Sequence, residues 1–318
     1  MVTIAGIVSL TVYAAVRFWS PAKSVPYGDQ MVDAARLMRQ AVTIIARHRD
    51  QAGPRIDDTI DPNHTGLVGP EQSGLATTLG HLEAKRTTTN PDMAGLVVHL
   101  LHQAGVAAGD TIAVGSSGSF PALLVATLAA ARTMQVYPVV ILSLGASSFG
   151  GTQMDFNLLD ICHLLIHENV LPVRPAAISL GGEQDIGQEL EPAIRERLIK
   201  NIQDSGVPFI YEPDLQENVA ARLSTYRRGS SSGRIAAFVN IGGSHANLGT
   251  SELALNLEPG LNTHLSIPPK AERGVLFEMA SQGIPCLHLL FIKGLAAKYG
   301  LPWDPIPLPE AGKFVPKN

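Results

Sequence analysis

Apolar residues recur along this chain in two alternating patterns. Short apolar runs bounded by glycine, proline or polar residues are typical of buried strands, and longer segments with apolar positions three and four apart are typical of helices. The predicted strands are 111–115, 136–144, 176–179, 209–211, 234–241 and 285–291. The predicted helices are 29–49, 92–103, 120–134, 191–205, 215–227 and 270–282. This alternation indicates βαβ units, so we predict an α/β fold with a mostly parallel sheet flanked by helices.

The first apolar stretch, residues 2–19, carries no charge before Arg17 and ends in Phe18 and Trp19. About 20 such residues cross a bilayer core, and aromatic residues suit its interface. No basic residue precedes the stretch and no clear cleavage site follows it, which favours a retained transmembrane anchor at 1–20 over a cleaved signal peptide. A buried core helix is the alternative. The expected location is the cell membrane, with a single span, and the side on which the soluble domain lies is left open.

The rest of the chain divides into three regions. Residues 21–60 combine a proline-containing linker with the amphipathic helix 29–49, and residues 61–300 are predicted to form the α/β domain. Residues 301–318 are rich in proline and are predicted to form an extended C-terminal strap. No internal repeat or low-complexity tract interrupts this order.

The composition narrows the function classes. The net charge is −4, so no broad basic surface is expected to bind nucleic acid. The two cysteines, Cys162 and Cys286, lie in apolar segments and are expected to be buried free thiols. His163 and His167 also lie in an apolar stretch, and the chain has neither a dinucleotide fingerprint nor a P-loop lysine. We therefore expect no metal site and no cofactor.

Four loops rich in glycine and serine follow predicted strands, at 115–119, 145–151, 181–185 and 242–249. One such loop is ordinary, because glycine relieves steric strain in turns. The carboxyl ends of parallel strands meet at one edge of a sheet, so the four together predict a ligand pocket lined by hydroxyls and backbone N–H groups. The substrate-binding residues predicted from these loops are Gly118, Ser147, Ser148, Gly182, Glu183, Gly243, Ser244 and Asn247.

The first of these loops is the predicted place for chemistry. Ser116, Ser117 and Ser119 are candidate nucleophiles in front of a helix that opens near Pro121. His245, with Asp185 or Asp160, could complete a catalytic group of the serine-hydrolase kind. The loop lacks a Gly-x-Ser-x-Gly elbow because its second glycine comes one residue early. The alternative is that these hydroxyls cap the helix and bind an anion without chemistry.

The polar segment 77–92 places Lys85 and Arg86 side by side among threonines, just before an apolar helix. A planar guanidinium beside an ammonium group suits the recognition of a carboxylate. We therefore predict that Lys85, Arg86 and Thr88 bind a carboxylate-bearing substrate. A solvated loop that caps the following helix is the alternative.

The chain resembles the bacterial poly-gamma-glutamate system proteins in three sequence segments, 77–92, 117–121 and 240–249. Those proteins are encoded beside capsule-type poly-gamma-glutamate synthesis genes. The resemblance covers about residues 61–303. It implies a role in making, exporting or trimming a γ-linked glutamate polymer at the membrane, with the polymer or its synthase subunits as partners. It brings no assignment of catalytic residues and leaves the oligomeric state open.

Two main hypotheses follow for capsule biosynthesis. The first is a membrane-anchored accessory component, without chemistry of its own, that binds poly-gamma-glutamate or its synthase through the Gly/Ser-rich loops and through Lys85 and Arg86. The alternative is a serine-dependent hydrolase or transferase that acts on γ-glutamyl amide bonds, with backbone N–H groups as the oxyanion hole. A weaker third hypothesis is a binder of a small phosphate or carboxylate.

Overall fold

A parallel sheet with one antiparallel edge strand lies at the centre of the structure, a computed structural model that describes residues 25–316. In chain order the strands are β1 (Ala76–Thr78), β2 (Thr111–Ser117), β3 (Tyr137–Ser143), β4 (Ala146–Ser147), β5 (Ala177–Ser179), β6 (Ala237–Ile241), β7 (Gly260–Asn262) and β8 (Cys286–Leu289). The helices are α1 (Gly28–Gln51), α2 (Leu82–Thr88), α3 (Asp92–Gln103), α4 (Pro121–Thr133), α5 (Leu158–His167), α6 (Pro192–Asp204), α7 (Leu215–Gly229), α8 (His245–Leu248), α9 (Val275–Ser281) and α10 (Ile292–Tyr299). The predicted α/β fold with a mostly parallel sheet is confirmed.

The strand order of the main sheet is β5-β3-β2-β6-β8-β7, and β7 alone runs antiparallel to its neighbour. From β2 the chain moves outward through β3 to β5, and it then returns to place β6 on the other side of β2. This reversal opens a crevice beyond the carboxyl ends of β2 and β6, which is where ligands bind in sheets of this kind. A separate parallel pair, β1 and β4, lies at the same end because β4 follows directly after β3.

Apolar cores cover both faces of the main sheet. Ile112 and Val114 of β2 belong to one core, and Ala113 between them belongs to the other, as the alternation of side chains along a strand requires. Met38 and Ile45 of α1 belong to the first core, and α1 packs against α3 and α4. The predicted amphipathic helix is confirmed and is packed into the α/β unit.

Several elements differ from the sequence prediction. Segment 82–88 is a helix, α2, and α5 and α10 were not predicted. Segment 209–211 makes only an isolated bridge from Phe209 to Ile178. The segment predicted as one helix, 270–282, divides into a short 3-10 turn and α9, because Gly274 lies so close to α8 that a Cβ there would come within 2.4 Å of the Asn247 carbonyl oxygen.

Residues 301–316 contain neither helix nor strand. The Asp304 carboxylate pairs with Arg86 of α2, the Pro305 carbonyl accepts a hydrogen bond from Asn63, and the Gly312 N–H donates to Asp92 at the start of α3. The segment therefore joins parts of the chain that are distant in sequence, and we call residues 301–316 the C-terminal strap.

The predicted transmembrane anchor at 1–20 lies outside the described residues. Between residues 25 and 316, no helix combines the length and apolarity needed to cross a bilayer. Cys162 and Cys286 are both buried and free, as predicted, and burial raises the pKa of each thiol to about 12.

Candidate active site

A cleft of about 420 Å³ opens beyond the carboxyl ends of β2, β3, β5 and β6. All four Gly/Ser-rich loops line it, so the prediction that they converge at one edge of the sheet is confirmed. The loops contribute Ser117, Ser119, Gly145, Ser147, Gly181, Gly182, Glu183, Gly243, Ser244 and His245. The cleft has the size of a small-molecule site.

Lys85 is buried behind one wall of this cleft, with 2 % of its surface exposed. Its Nζ donates to the Ser119 carbonyl oxygen at 2.5 Å and lies 2.6 Å from Ser147 Oγ. It also lies 3.9 Å from the centroid of the Phe120 ring. Among the described residues no carboxylate pairs with it.

Burial without a carboxylate partner disfavours the ammonium form of a lysine. It lowers the pKa of Lys85 to about 7. A large share of the Lys85 amine is therefore neutral near neutral pH. In that form it can accept the proton of the Ser147 hydroxyl, which is what a general base must do.

Ser147 is half-buried and is held from two sides. It belongs to β4, where it pairs with Thr78 of β1, and its N–H donates to Ser119 Oγ at 3.0 Å. Gly80 also lies close, because a Cβ at that position would come within 3.1 Å of Ser147 Oγ and 2.5 Å of the Ser148 carbonyl oxygen. Because Gly80 has no side chain, the backbone can run close to Ser147 and Ser148 before α2 begins.

Within residues 25–316, no histidine, lysine or carboxylate side chain hydrogen-bonds to the hydroxyl of any of the three serines of the first loop. Ser116 is buried and does not line the cleft, whereas Ser117 and Ser119 do. Ser119 Oγ accepts the Ser147 N–H, and Ser117 Oγ accepts the Ser119 N–H at 3.4 Å. The Gly118 N–H donates to the carbonyls of Ser143 and Gly145, so it is already used and does not serve as an oxyanion donor.

The expected grouping of His245 with an aspartate is not formed. His245 lines the cleft, and its Nδ1 accepts the Gln184 N–H at 3.1 Å. The Asp185 carboxylate lies 2.5 Å from Arg222 and is 1 % exposed, so it neutralises a buried charge. The Asp160 carboxylate accepts the Asn157 N–H in the capping box of α5.

Arg86 and Thr88 also have other partners. Arg86 makes a two-pronged ion pair with Asp304 at 2.7 and 2.6 Å, which ties α2 to the C-terminal strap. The Thr88 hydroxyl donates to the Lys85 carbonyl within α2 and is buried. Neither residue lines the cleft. The Arg86 guanidinium is therefore not available for the predicted binding of a carboxylate, because it is paired with Asp304 of the C-terminal strap.

Two further predicted binding residues lie behind the cleft. Ser148 is buried, with its hydroxyl 3.5 Å from the Thr78 carbonyl. Asn247 is also buried and donates to Asn240. Gly115 of β2 makes room for Asn247, because a Cβ there would lie 2.5 Å from the Asn247 amide.

The remaining predicted binding residues, Gly182, Glu183, Gly243 and Ser244, do line the cleft. Glu189, which the sequence did not indicate, lines it as well, and both of its carboxylate oxygens accept the Glu183 N–H, at 2.9 and 3.0 Å. The Ser244 hydroxyl is buried and has no hydrogen-bond partner within the described part of the chain. Over the same residues, neither lysine nor arginine lines this cleft.

A second groove, of about 470 Å³, continues from the cleft on the other side of Ser147. The two spaces share Leu79, Ser147 and Leu290 as lining residues. The groove has Phe120, Phe291 and Trp303 in its walls, and its charged or titratable lining residues are Lys85, Lys293, His81 and Glu83. Ser147 therefore lies where the cleft lined by the Gly/Ser-rich loops meets a groove with aromatic walls.

The sequence analysis predicted that Lys85 and Ser147 each bind substrate, but it did not predict that they contact each other. They are separated by 62 positions, and Lys85 was expected in a polar loop. The one available signal was a lysine in the segment that immediately precedes a strongly apolar helix.

Over residues 25–316, no three His, Cys, Asp or Glu side chains are grouped so that they could hold a metal ion. Comparison of the chain with protein-family models, curated proteins and solved structures gave no match.

Proposed function

We propose that this protein is a serine-dependent hydrolase or transferase in which Ser147 is the nucleophile and Lys85 is the general base. The observation that carries the proposal is the 2.6 Å separation between Lys85 Nζ and Ser147 Oγ, at the wall of the cleft that the Gly/Ser-rich loops line. A serine activated by a lysine is one of the known variants of the catalytic triad. The Ser119 carbonyl, which accepts a hydrogen bond from Nζ, orients the amine.

The proposed reaction has two halves. The neutral Lys85 amine takes the Ser147 proton while Oγ bonds to the carbonyl carbon of an amide, and the C–N bond then breaks as Lys85 returns the proton to the leaving nitrogen. Water or an acceptor amine next attacks the acyl-Ser147 ester and loses its proton to Lys85. The ester C–O bond breaks and Lys85 gives that proton back to Ser147 Oγ, which restores the enzyme.

The proposed substrate is a γ-glutamyl amide, at a membrane-bound poly-gamma-glutamate assembly. The resemblance of segments 77–92, 117–121 and 240–249 supports this choice, and the cleft is large enough for one glutamyl unit. The accessory role, in which the protein binds polymer or synthase without chemistry, stays a hypothesis. That role used Lys85 and Arg86 in addition to the Gly/Ser-rich loops, and Lys85 is buried while Arg86 pairs with Asp304.

The test uses the full chain with γ-glutamyl-4-nitroanilide and with poly-gamma-glutamate as substrates. Ser147→Ala and Lys85→Met should each lower turnover by about 10⁴-fold or more, as loss of a nucleophile or its base does in serine hydrolases. Ser148→Ala is the matched control, because this neighbouring hydroxyl lies outside the cleft. A fluorophosphonate should label Ser147 in the native protein and not in Lys85→Met.

The proposal fails if Ser147→Ala keeps the activity or if neither substrate is cleaved. It also fails if mass spectrometry finds the fluorophosphonate on Ser117 or Ser119 instead.

A further inference from the structure

Two carboxylates, those of Glu183 and Glu189, line the cleft without a cation beside them. Glu189 is held in place by the Glu183 N–H, and among the described residues neither carboxylate takes part in a salt bridge. No lysine or arginine of residues 25–316 lines the same space. Although both side chains are exposed, a ligand group beside them gains affinity from a positive charge and loses it from a negative one.

The Ser244 hydroxyl provides an independent sign of a ligand in the same cleft. Ser244 is 7 % exposed and lines the cleft, and its hydroxyl has no partner within the described part of the chain. A buried polar group without a partner is costly, so a ligand that bonds to it gains affinity. Ser117 offers a second hydroxyl in the cleft. Hydroxyl groups donate well to the oxygens of a carboxylate.

The cleft thus complements a group that has an ammonium and a carboxylate on the same small unit. We infer that the cleft binds the free α-amino group of a γ-glutamyl residue through Glu183 and Glu189, and that its α-carboxylate faces the Ser117 and Ser244 hydroxyls. This inference rests on the proposed function, and it specifies which bond is cut. In a γ-linked chain only the amino-terminal unit keeps a free ammonium, since every other nitrogen is an amide. The enzyme therefore acts on the terminal γ-glutamyl unit and not within the polymer.

The carboxylates also explain why an internal segment is excluded. An internal segment brings one negative charge per unit and no ammonium, so it meets two like charges in the cleft. The terminal unit brings one charge of each sign, and its ammonium makes charge-assisted hydrogen bonds that an amide cannot make.

Binding is tested separately from turnover with the Ser147→Ala protein. Titration calorimetry compares γ-glutamyl-4-nitroanilide with its N-acetyl derivative, which has the same shape around the scissile bond but no ammonium. We expect the free amine to bind at least about tenfold more tightly, as the loss of a charged hydrogen bond predicts. In the same background, Glu183→Gln with Glu189→Gln should remove that preference. Glu191→Gln is the control, because this exposed glutamate of the same segment lies outside the cleft.

Three outcomes overturn the inference. They are equal affinity for the two ligands, no binding of the free amine, and a preference that survives the double glutamine variant. If the native enzyme cleaves the acetylated substrate as fast as the free one, the inference fails while the Ser147–Lys85 chemistry stands. If the native enzyme cleaves neither substrate but Ser147→Ala still prefers the free amine, the recognition stands and the chemistry fails.

Discussion

At the scale of the residue, the protonation of Lys85 sets the pH range of the proposed chemistry. Burial lowers the pKa of Lys85 to about 7, and only the neutral amine can take the Ser147 proton. We therefore expect kcat/KM to rise about tenfold per pH unit below this value and to level off above it. Steady-state rates with γ-glutamyl-4-nitroanilide between pH 5 and pH 8 measure the profile, because the substrate's α-ammonium begins to lose its proton at higher pH.

His245 also lines the cleft and is the other side chain there that could act as a base. The His245→Asn variant is therefore the control, and its profile should keep the same midpoint. A profile that is flat, that falls with rising pH, or that loses its midpoint in His245→Asn would contradict the role given to Lys85.

The limits of sequence-based prediction are clearest at single residues. The glycines and serines of the four loops indicated the cleft, because their positions after apolar runs fix the edge of the sheet on which they lie. The sequence did not indicate which side chain each charged residue would contact. Nothing near Asp185 in the sequence indicates that Arg222 will be buried against it, and nothing near Arg86 indicates Asp304. Such pairings depend on how distant elements pack.

At the scale of the element, the apolar pattern indicated α3 but left α2, α5 and α10 unpredicted. Segment 92–103 is a helix with the predicted bounds, since apolar residues fill it. The sequence of α2, by contrast, has threonine at 87 and 88, a poor helix former, and few apolar residues. Tertiary contacts stabilise it instead, through Lys85 against Phe120 and Arg86 against Asp304.

A buried ion pair connects α7 with the loop after β5. Asp185 and Arg222 are 1 % and 0 % exposed, and Ser143 and Ser179 at the ends of β3 and β5 bond to both. Asp185→Ala leaves the guanidinium buried without its counter-charge, so it should lower the free energy of unfolding by about 3–5 kcal/mol. Urea denaturation measures the change.

Gln188→Ala, at an exposed position of the same loop, is the control for this prediction and should change stability by less than about 0.5 kcal/mol. If Asp185→Ala is as stable as the control, the ion pair does not hold the loop in place, and the position of Glu183 in the cleft needs another cause.

At the scale of the whole molecule, the C-terminal strap holds the wall that carries Lys85. The Arg86–Asp304 pair is about one-sixth exposed on each side, and the Asp304 N–H also donates to Thr87 of α2. Because Arg86 is next to Lys85 in α2, loss of this contact frees the helix that positions the base. Chain segments more than 200 residues apart thus meet at the helix that carries Lys85.

Asp304→Asn tests this coupling. The change removes the charge from a two-pronged ion pair, so it should lower the free energy of unfolding by about 1.5–3 kcal/mol. It should also slow the labelling of Ser147 by fluorophosphonate, since Lys85 would be less firmly held near Oγ.

Glu310→Gln is the matched control, because its pair with Lys313 in the same strap is exposed and is worth at most about 0.5 kcal/mol. If Asp304→Asn loses stability but labels Ser147 at the native rate, the strap stabilises the fold without positioning the base. If it labels more slowly while Glu310→Gln does not, the strap is part of the machinery that activates Ser147.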